Sequence, residues 1–345
     1  MRTLSKISLR LKALGFTAEE GLAALACLLL IYVGSFFNPA FATPRYLLLQ
    51  AQTASFMGII AIGAMMVILL GQIDLSVPWN MAGTAILTTT LAGSADPSVA
   101  AVAIPAAWLA GALIGLFNGL GVAILRIPSL VWTLSMNSIL LGLSTFLTSG
   151  HKPRGVCPKI LTDIAHGHVL GIPSVFILWS LLGVIAALTL RRTVFGKYLY
   201  AIGNSEKAVY MSGVPTAKVV IFTFVLAGFL TTLGGQLLAG YVNQAYQSMG
   251  DTYVMPILAS IVIGGTSILG GRGTYLGTVL GVLFVTLLTS ILSVMQMPES
   301  VRQIIFGSII LAVLLLHNFR RRSGRRPSQS QAPEKAAPAQ EARAA

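Results

Sequence analysis

The chain has 345 residues, of which 55% are hydrophobic and only 10% charged, and its formal net charge is +13. Soluble domains carry about 25% charged residues, so this chain cannot cover a globular surface with solvated groups, and a lipid environment is the simplest explanation. The excess of cations does not point to nucleic acid, because they cluster near the N-terminus, between residues 191 and 218 and in the tail, which is the positive-inside pattern of a multi-pass membrane protein.

Residues 1–20 are basic and amphipathic through Arg2, Lys6, Arg10 and Lys12, and are expected on the cytoplasmic side. An apolar run from Leu22 to Phe37 follows. Behind it, Ala40-Phe41-Ala42 has the form of a signal-peptidase site. The run is long for a signal core and more spans follow, so an uncleaved first span is expected, with cleavage as the alternative. Tyr46 to Leu70 is the second span, and it runs into the polar interruption Gly71-Gln72-Ile73-Asp74-Leu75-Ser76-Val77-Pro78. Trp79 to Leu91 is apolar again, Val99 to Leu125 follows Asp96-Pro97, and Pro128 opens a run from Ser129 to Leu147. Residues 149–173 are polar and are expected to form a solvated outer loop. Val175 to Leu190 then crosses back to a basic stretch.

That stretch, Arg191 to Lys218, is the longest polar-leaning interval between two long apolar blocks. It carries Arg191, Arg192, Lys197, Lys207 and Lys218 against a single acid, Glu206. Asn204 or Ser205 can cap a helix there, Glu206 falls in its first turn, Gly213 can end it in the left-handed conformation, and Pro215 forbids continuation. A helix of about eight residues is marginal alone in water, so it is stable only when docked on its own protein or on a partner. Beyond it, Val219 to Ala239 crosses outward, and residues 241–252 carry no Lys or Arg, which marks the outer side. Tyr253 to Gly264, Tyr275 to Leu292 and Val301 to Leu316 complete the set.

The expectation is an all-α integral membrane protein with about ten transmembrane helices, broken near 71–78 and 264–273. Its plan is a basic cytoplasmic N-terminus (1–20), a transmembrane body (21–317) with a cytoplasmic loop at 191–218, and a disordered basic cytoplasmic tail (318–345) rich in Ala, Pro, Ser and Gln. Both termini and that loop then share the cytoplasmic side.

The chemistry-bearing candidates are few. Gly111, Gly115 and Gly119, and again Gly273, Gly277 and Gly281, recur every four residues and suit close helix packing in lipid. Gly265 to Gly273 comes near a phosphate-binding loop but lacks the Gly-Lys-Ser/Thr ending, so the chain itself is not expected to hydrolyse ATP. His151, Cys157, His166 and His168 match no zinc spacing, so no metal site is expected, and Cys27 lies in an apolar run, which argues against a disulfide framework. No catalytic arrangement of Ser, His and Asp or of Cys and His is found. Asp74 is the one acid flanked on both sides by near-spanning apolar runs. Such a charge either serves a pathway or caps the helix that begins near Ser76. Broken helices expose backbone groups that must line a cavity or be buried in protein, so the two breaks point to a polar path.

The order and spacing of four stretches over residues 46–316 resemble the permease subunits of ribose/xylose-type ATP-binding cassette sugar importers, within the larger group that includes branched-chain amino-acid permeases. The first is Gly71-Gln72-Ile73-Asp74-Leu75-Ser76-Val77, similar to the family's Gly-Gly-Ile-Asp-Leu-Ser-Val-Gly. The second is Asn118-Gly119 followed by Arg126 to Leu134, with Thr133. The third runs from Phe195 and Gly196 to Gly203 and Asn204, then Ala208 and Ser212-Gly213. The fourth is Ile263-Gly264-Gly265-Thr266-Ser267 with Gly270-Gly271 and Gly277-Thr278.

The resemblance implies a subunit with no enzymatic chemistry and no bound cofactor, the ATP and Mg being held by a separate cytoplasmic ATPase. It implies a second permease copy, in a homodimer, a periplasmic sugar-binding protein as donor, and a place in the bacterial inner membrane. Phe195, Gly196, Gly203, Asn204, Glu206, Ala208 and Gly213 would form the ATPase-coupling loop. Gln72, Asp74, Ser76, Asn118, Thr133, Gly264, Gly265 and Thr266 would be the translocation-pathway candidates. Gln72 and Pro78 stand where the family usually carries glycine, and Val254 and Pro256 where ribose-type members usually carry acids. The substrate is therefore open between ribose, another monosaccharide and a related polyol. The alternative is an ion-coupled secondary transporter, for which Asp74 is the one good buried ionisable group.

Overall fold

The computed structural model describes residues 18–148 and 155–323. Their regular structure is helical apart from one two-stranded hairpin, His168–Val169 paired antiparallel with Ile172–Pro173. The helices are α1 (Ala18–Phe37), α2 (Pro44–Leu69), α3 (Val77–Ala92), the short α4 (Pro97–Ala101), α5 (Ala103–Ala123), α6 (Ser129–Leu147), α7 (Lys159–His166), α8 (Ser174–Arg192), α9 (Val194–Met211), α10 (Thr216–Val242), α11 (Val254–Ile263), α12 (Tyr275–Val294) and α13 (Glu299–Ser323).

Each apolar run of the sequence lies in a helix. Seven of them, α1, α2, α5, α6, α8, α10 and α12, are long and apolar enough to cross a membrane by length and composition. The other expected crossings correspond to α3 with 16 residues, α11 with 10, and α13. The helical ends also run past the expected boundaries, since α1 begins at Ala18 and α13 reaches Ser323. Residues 1–17 and 324–345, which hold most of the expected basic N-terminus and tail, lie outside the described residues.

The bundle is built around α2. Thr43 starts it, its hydroxyl oxygen accepting from the Tyr46 N–H, and Pro44 occupies the first turn, where no intrahelical donor is needed. Every residue from Ala54 to Leu69 is buried. A helix apolar on all sides belongs inside a bundle, and α8, α10, α11 and α12 pack around this one.

Glycines let the helix backbones come close. A side-chain carbon at Gly115 of α5 would sit 2.2 Å from the Phe224 carbonyl oxygen of α10, and one at Gly119 would sit 2.7 Å from the Ile221 Cα. The α11–α12 pair shows the same device, since a carbon at Gly281 would lie 1.8 Å from the Ser260 carbonyl oxygen. Gly273 precedes α12, so this second ladder has two helical rungs rather than the three its spacing suggested.

The 149–173 segment departs from the expected solvated loop. Its described part folds into α7 and the hairpin, and Leu161 and Ala165 of α7 are buried. Gln52 of α2 donates to the Ala165 carbonyl at 2.7 Å, so α7 seals that end of the bundle. Apolar residues at 161 and 165, one helical turn apart, are the cause.

Candidate functional site

The first break spans the turn after α2 and the extended segment before α3. Leaving helical geometry frees peptide groups in residues 71–76, and side chains from α6 together with Asp74 satisfy those of Ile73, Leu75 and Ser76. Ser129 Oγ accepts the Ile73 N–H at 3.1 Å, and Thr133 Oγ1 accepts the Leu75 N–H at 2.9 Å. Asn137 Oδ1 accepts from the Trp79 N–H at 3.3 Å, at the start of α3. Residues 129, 133 and 137 follow at intervals of four, which places them on one face of α6.

Asp74 organises the rest of this break. Its Oδ1 accepts from the Ser76 N–H at 2.9 Å and from the Ser76 hydroxyl at 2.6 Å. Asn118 of α5 donates through Nδ2 to Ser76 Oγ at 2.7 Å and to Asp74 Oδ1 at 3.5 Å. The carboxylate therefore braces the turn that leads into α3, whose N-cap residue is Ser76. With its amide turned toward acceptors, Asn118 keeps a buried Oδ1 that has no hydrogen-bond partner. Buried polar atoms are nearly always paired, so this orphan marks a polar cluster larger than a helix cap needs.

The second break, Gly264 to Thr274, is held differently. Thr266 N–H reaches the Ile261 carbonyl, Ser267 N–H the Arg272 carbonyl, and Gly270 N–H the Ser267 carbonyl. Gly265, Gly270 and Gly271 have φ of +87°, +84° and +71°, the left-handed region that side chains disfavour, so this tight path needs glycine. Gly264 lies against the Gly277 backbone, and Thr266 is buried with an unpaired hydroxyl.

The two breaks meet. The Gly271 N–H donates to the Leu69 carbonyl, the free end of α2, at 2.9 Å. A side-chain carbon at Gly270 would lie 2.6 Å from the Gly71 nitrogen. The first half of α9 closes the same knot. A carbon at Gly203 would come within 1.9 Å of the Leu69 oxygen and 2.4 Å of the Gly271 nitrogen. Asn204 Nδ2 donates to the Gly271 carbonyl at 3.3 Å and to the Tyr200 carbonyl at 2.8 Å, and the Tyr200 hydroxyl donates to the Gly273 carbonyl at 2.9 Å.

Just past that knot α9 breaks at Ser205, whose extended backbone separates two helical pieces. Ser205 rather than Asn204 caps the second piece, its hydroxyl accepting from the Ala208 N–H at 3.4 Å. Gly213, with φ +84°, ends the turn after it. The expected short helix is thus present, and the residues before it, from Val194, are helical as well.

The expected coupling residues fall into two groups. Phe195, Gly196 and Gly203 face inward. Phe195 packs edge-on against Phe222 at 5.2 Å, and Gly196 lies against the Leu190 backbone. Glu206, Ala208 and Gly213 are exposed, beside Tyr210 and Met211 at 64% and 76% exposure. Asn204 joins the two groups.

Of the pathway candidates, Asp74, Ser76 and Asn118 form one hydrogen-bonded cluster, Thr133 holds the adjoining Leu75 peptide, and Gln72 is half-exposed. Gly264, Gly265 and Thr266 belong to the second break. Sequence reasoning missed Ser129, Asn137 and Tyr200 as parts of this assembly. The four-residue polar spacing on α6 was the available signal for the first two.

Among the described residues no group of three or more His, Cys, Asp or Glu side chains is placed to hold a metal ion. His166 instead stacks on Tyr241 at 5.1 Å, and His151 lies outside the described residues.

Comparison with known proteins gives the same outline. The family described as branched-chain amino acid transport system / permease component matches residues 46–314. The ribose import permease protein RbsC of Haemophilus influenzae is 30% identical over 298 residues, 86% of this chain and 92% of its own. The L-arabinose ABC transporter permease protein AraH of Azospirillum brasilense is 32% identical over 289 residues, 83% of this chain and 84% of its own. The autoinducer 2 import system permease protein LsrC of Escherichia coli O157:H7 is 32% identical over 299 residues, 86% of each chain. No solved structure matches the chain.

Proposed function

This chain belongs to the branched-chain amino acid transport system / permease component family, and from that premise we propose that two copies of it form the path through which a monosaccharide or related polyol is imported. The protein is a multi-pass subunit of the bacterial inner membrane and a transport component rather than an enzyme. An ATP-binding cassette ATPase and a solute-binding protein complete such an importer, and ATP and Mg belong to the ATPase. The similarity to permeases named for ribose, L-arabinose and autoinducer 2 supports a small polyhydroxylated substrate.

The observation that carries the mechanism is the knot at the end of α2. The exposed short helix after Ser205 is one residue from Asn204 and two from Gly203, which touch both breaks. An ATPase that grips Glu206, Ala208 and the rings and thioether beyond them moves the Leu69 and Gly271 peptides directly. The Asp74–Asn118 cluster then shifts with the start of α3. The breaks thus act as the moving part, and the carboxylate serves both as cap and as path lining. Arg126, Arg191, Arg192, Lys197, Lys207, Lys218 and Arg272 all sit in or between helix ends on this side, which supports a cytoplasmic face here and both termini on it.

The second copy is supported by α6. Only 11% of its most apolar window is buried, and it presents Ser135, Ser138 and Thr145 outward. Hydroxyl-bearing faces suit a partner helix or a watery path between two copies.

The test is Glu206→Arg and Gly213→Val in the permease reconstituted with its ATPase and binding protein. Uptake and substrate-stimulated ATP hydrolysis are expected to fall about tenfold while membrane insertion stays normal, a fold-change typical of one lost interface anchor. Unchanged stimulation in both variants would remove the docking role.

A further inference from the structure

At the opposite end of the bundle from the knot, α2, α10, α11, α12 and α13 line a half-open pocket of about 400 Å3. α12 is apolar for most of its length, yet Thr286, Thr289, Ser290 and Ser293 all line this space. Their spacing puts four hydroxyls on one helical face. Gln50 and Thr53 of α2, one turn apart, face the same cavity. Gln50 Nε2 donates to Ser290 Oγ at 3.0 Å, and the Tyr46 hydroxyl also bonds Ser290.

The hydroxyl protons are largely committed. Thr53, Thr286, Thr289 and Ser293 each donate to the carbonyl four residues earlier, at 2.7–2.8 Å. A hydroxyl that has given its proton still offers oxygen lone pairs. The cavity therefore presents a row of acceptors to anything that enters with donors. Met57, Tyr253 and Phe306 add apolar wall. Glu299 and Arg302 stand at a more open edge, 3.8 Å apart, and cancel each other's charge.

The geometry points to a vestibule site for a small, neutral, polyhydroxylated solute. Sugar hydroxyls donate to the acceptor row, the guanidinium of Arg302 donates back, and the C–H groups of a sugar ring meet the apolar wall. A few convergent polar groups in a half-apolar cavity of this size are the ordinary composition of a small-molecule site. A charged solute gains nothing from the balanced Glu299–Arg302 pair. The inference rests on the import reading above, in which this end faces outward and receives the delivered solute. It places a holding site before the Asp74 cluster, within a single copy of the chain.

The test uses the full transporter in proteoliposomes, in a Cys27→Ser, Cys157→Ser background carrying Ser293→Cys. A membrane-impermeant thiol reagent applied from outside is expected to label Cys-substituted position 293. Millimolar ribose or L-arabinose is expected to slow that labelling about fivefold, and ribose 5-phosphate to leave it unchanged. In parallel, the shape-conserving double variant Thr286→Val, Thr289→Val is expected to lower uptake about tenfold while stimulation of ATP hydrolysis by the binding protein stays within about twofold of wild type. Wild-type uptake with no sugar protection and undiminished uptake in the double variant would overturn the vestibule alone. Equal protection by the phosphate ester would overturn its neutral class. Absence of any sugar uptake by the wild-type transporter would overturn the import reading and the vestibule with it.

Discussion

The two breaks solve the same problem in opposite ways. Both release peptide groups inside a membrane protein, where an unpaired N–H or carbonyl is expensive. The 71–76 break hands the N–H groups of Ile73, Leu75 and Ser76 to side chains: Ser129, Thr133 and the Asp74 carboxylate. The 264–273 break pairs its own with other backbone groups and packs glycine against peptide. Side-chain partners can swing away by rotating a single torsion, whereas a backbone-to-glycine contact has no soft coordinate. The second break and α9 therefore form the stiff part of the machine, and the Asp74 segment the adjustable part.

This contrast can be broken first at Gly203. Gly203→Val would push carbon atoms into the Leu69 oxygen and the Gly271 nitrogen, neither of which can yield without moving a helix end. A loss of about 3 kcal/mol is expected from such overpacking, with transport abolished. The thermal unfolding midpoint in detergent reads it, and an unchanged midpoint would show that the knot is soft after all.

A smaller effect is expected at Thr133. Thr133→Val keeps the shape but strands the Leu75 N–H, at a cost of about 2 kcal/mol. Amide exchange should quicken at residues 73–76 and not at 265–272, and Thr133→Ser should restore protection. Equal quickening of both segments would erase the distinction between them.

The least effect on stability belongs to Asp74→Asn. Asparagine caps a helix start about as well as aspartate, so folding should change by less than about 0.5 kcal/mol. Uptake is nevertheless expected to drop about tenfold, because the carboxylate that accepts from Ser76 and Asn118 is lost. Wild-type uptake in that variant would leave Asp74 a cap and nothing more.

The helices and both breaks were legible because each is a local pattern. Long apolar runs end where Gly71, Asp74 and Pro78, or Gly264, Gly270 and Gly273, interrupt them. The capped helix after Ser205 was legible for the same reason, through its cap and Gly213. What joins these parts was not. No spacing announces that Gly203 sits under Leu69 or that Tyr200 reaches Gly273, since those pairs are set by three-dimensional packing between distant segments. α7 hid because only two of its eight residues, Leu161 and Ala165, are buried. The hydroxyl row on α12 hid because Thr and Ser that bond their own helix fit an apolar span without disturbing its hydropathy.

The enclosure of α2 has a consequence for how the protein is made. Its polar side chains find partners that emerge from the ribosome long after it does. Gln52 waits 113 residues for Ala165, and Gln50 waits 240 for Ser290. Until then the axial segment lies in lipid with its amides unmet and its neighbours unborn. Biogenesis must therefore park an unfinished helix in the bilayer and wrap it late, and a nascent chain halted before α12 should be a ready target for membrane quality-control proteases.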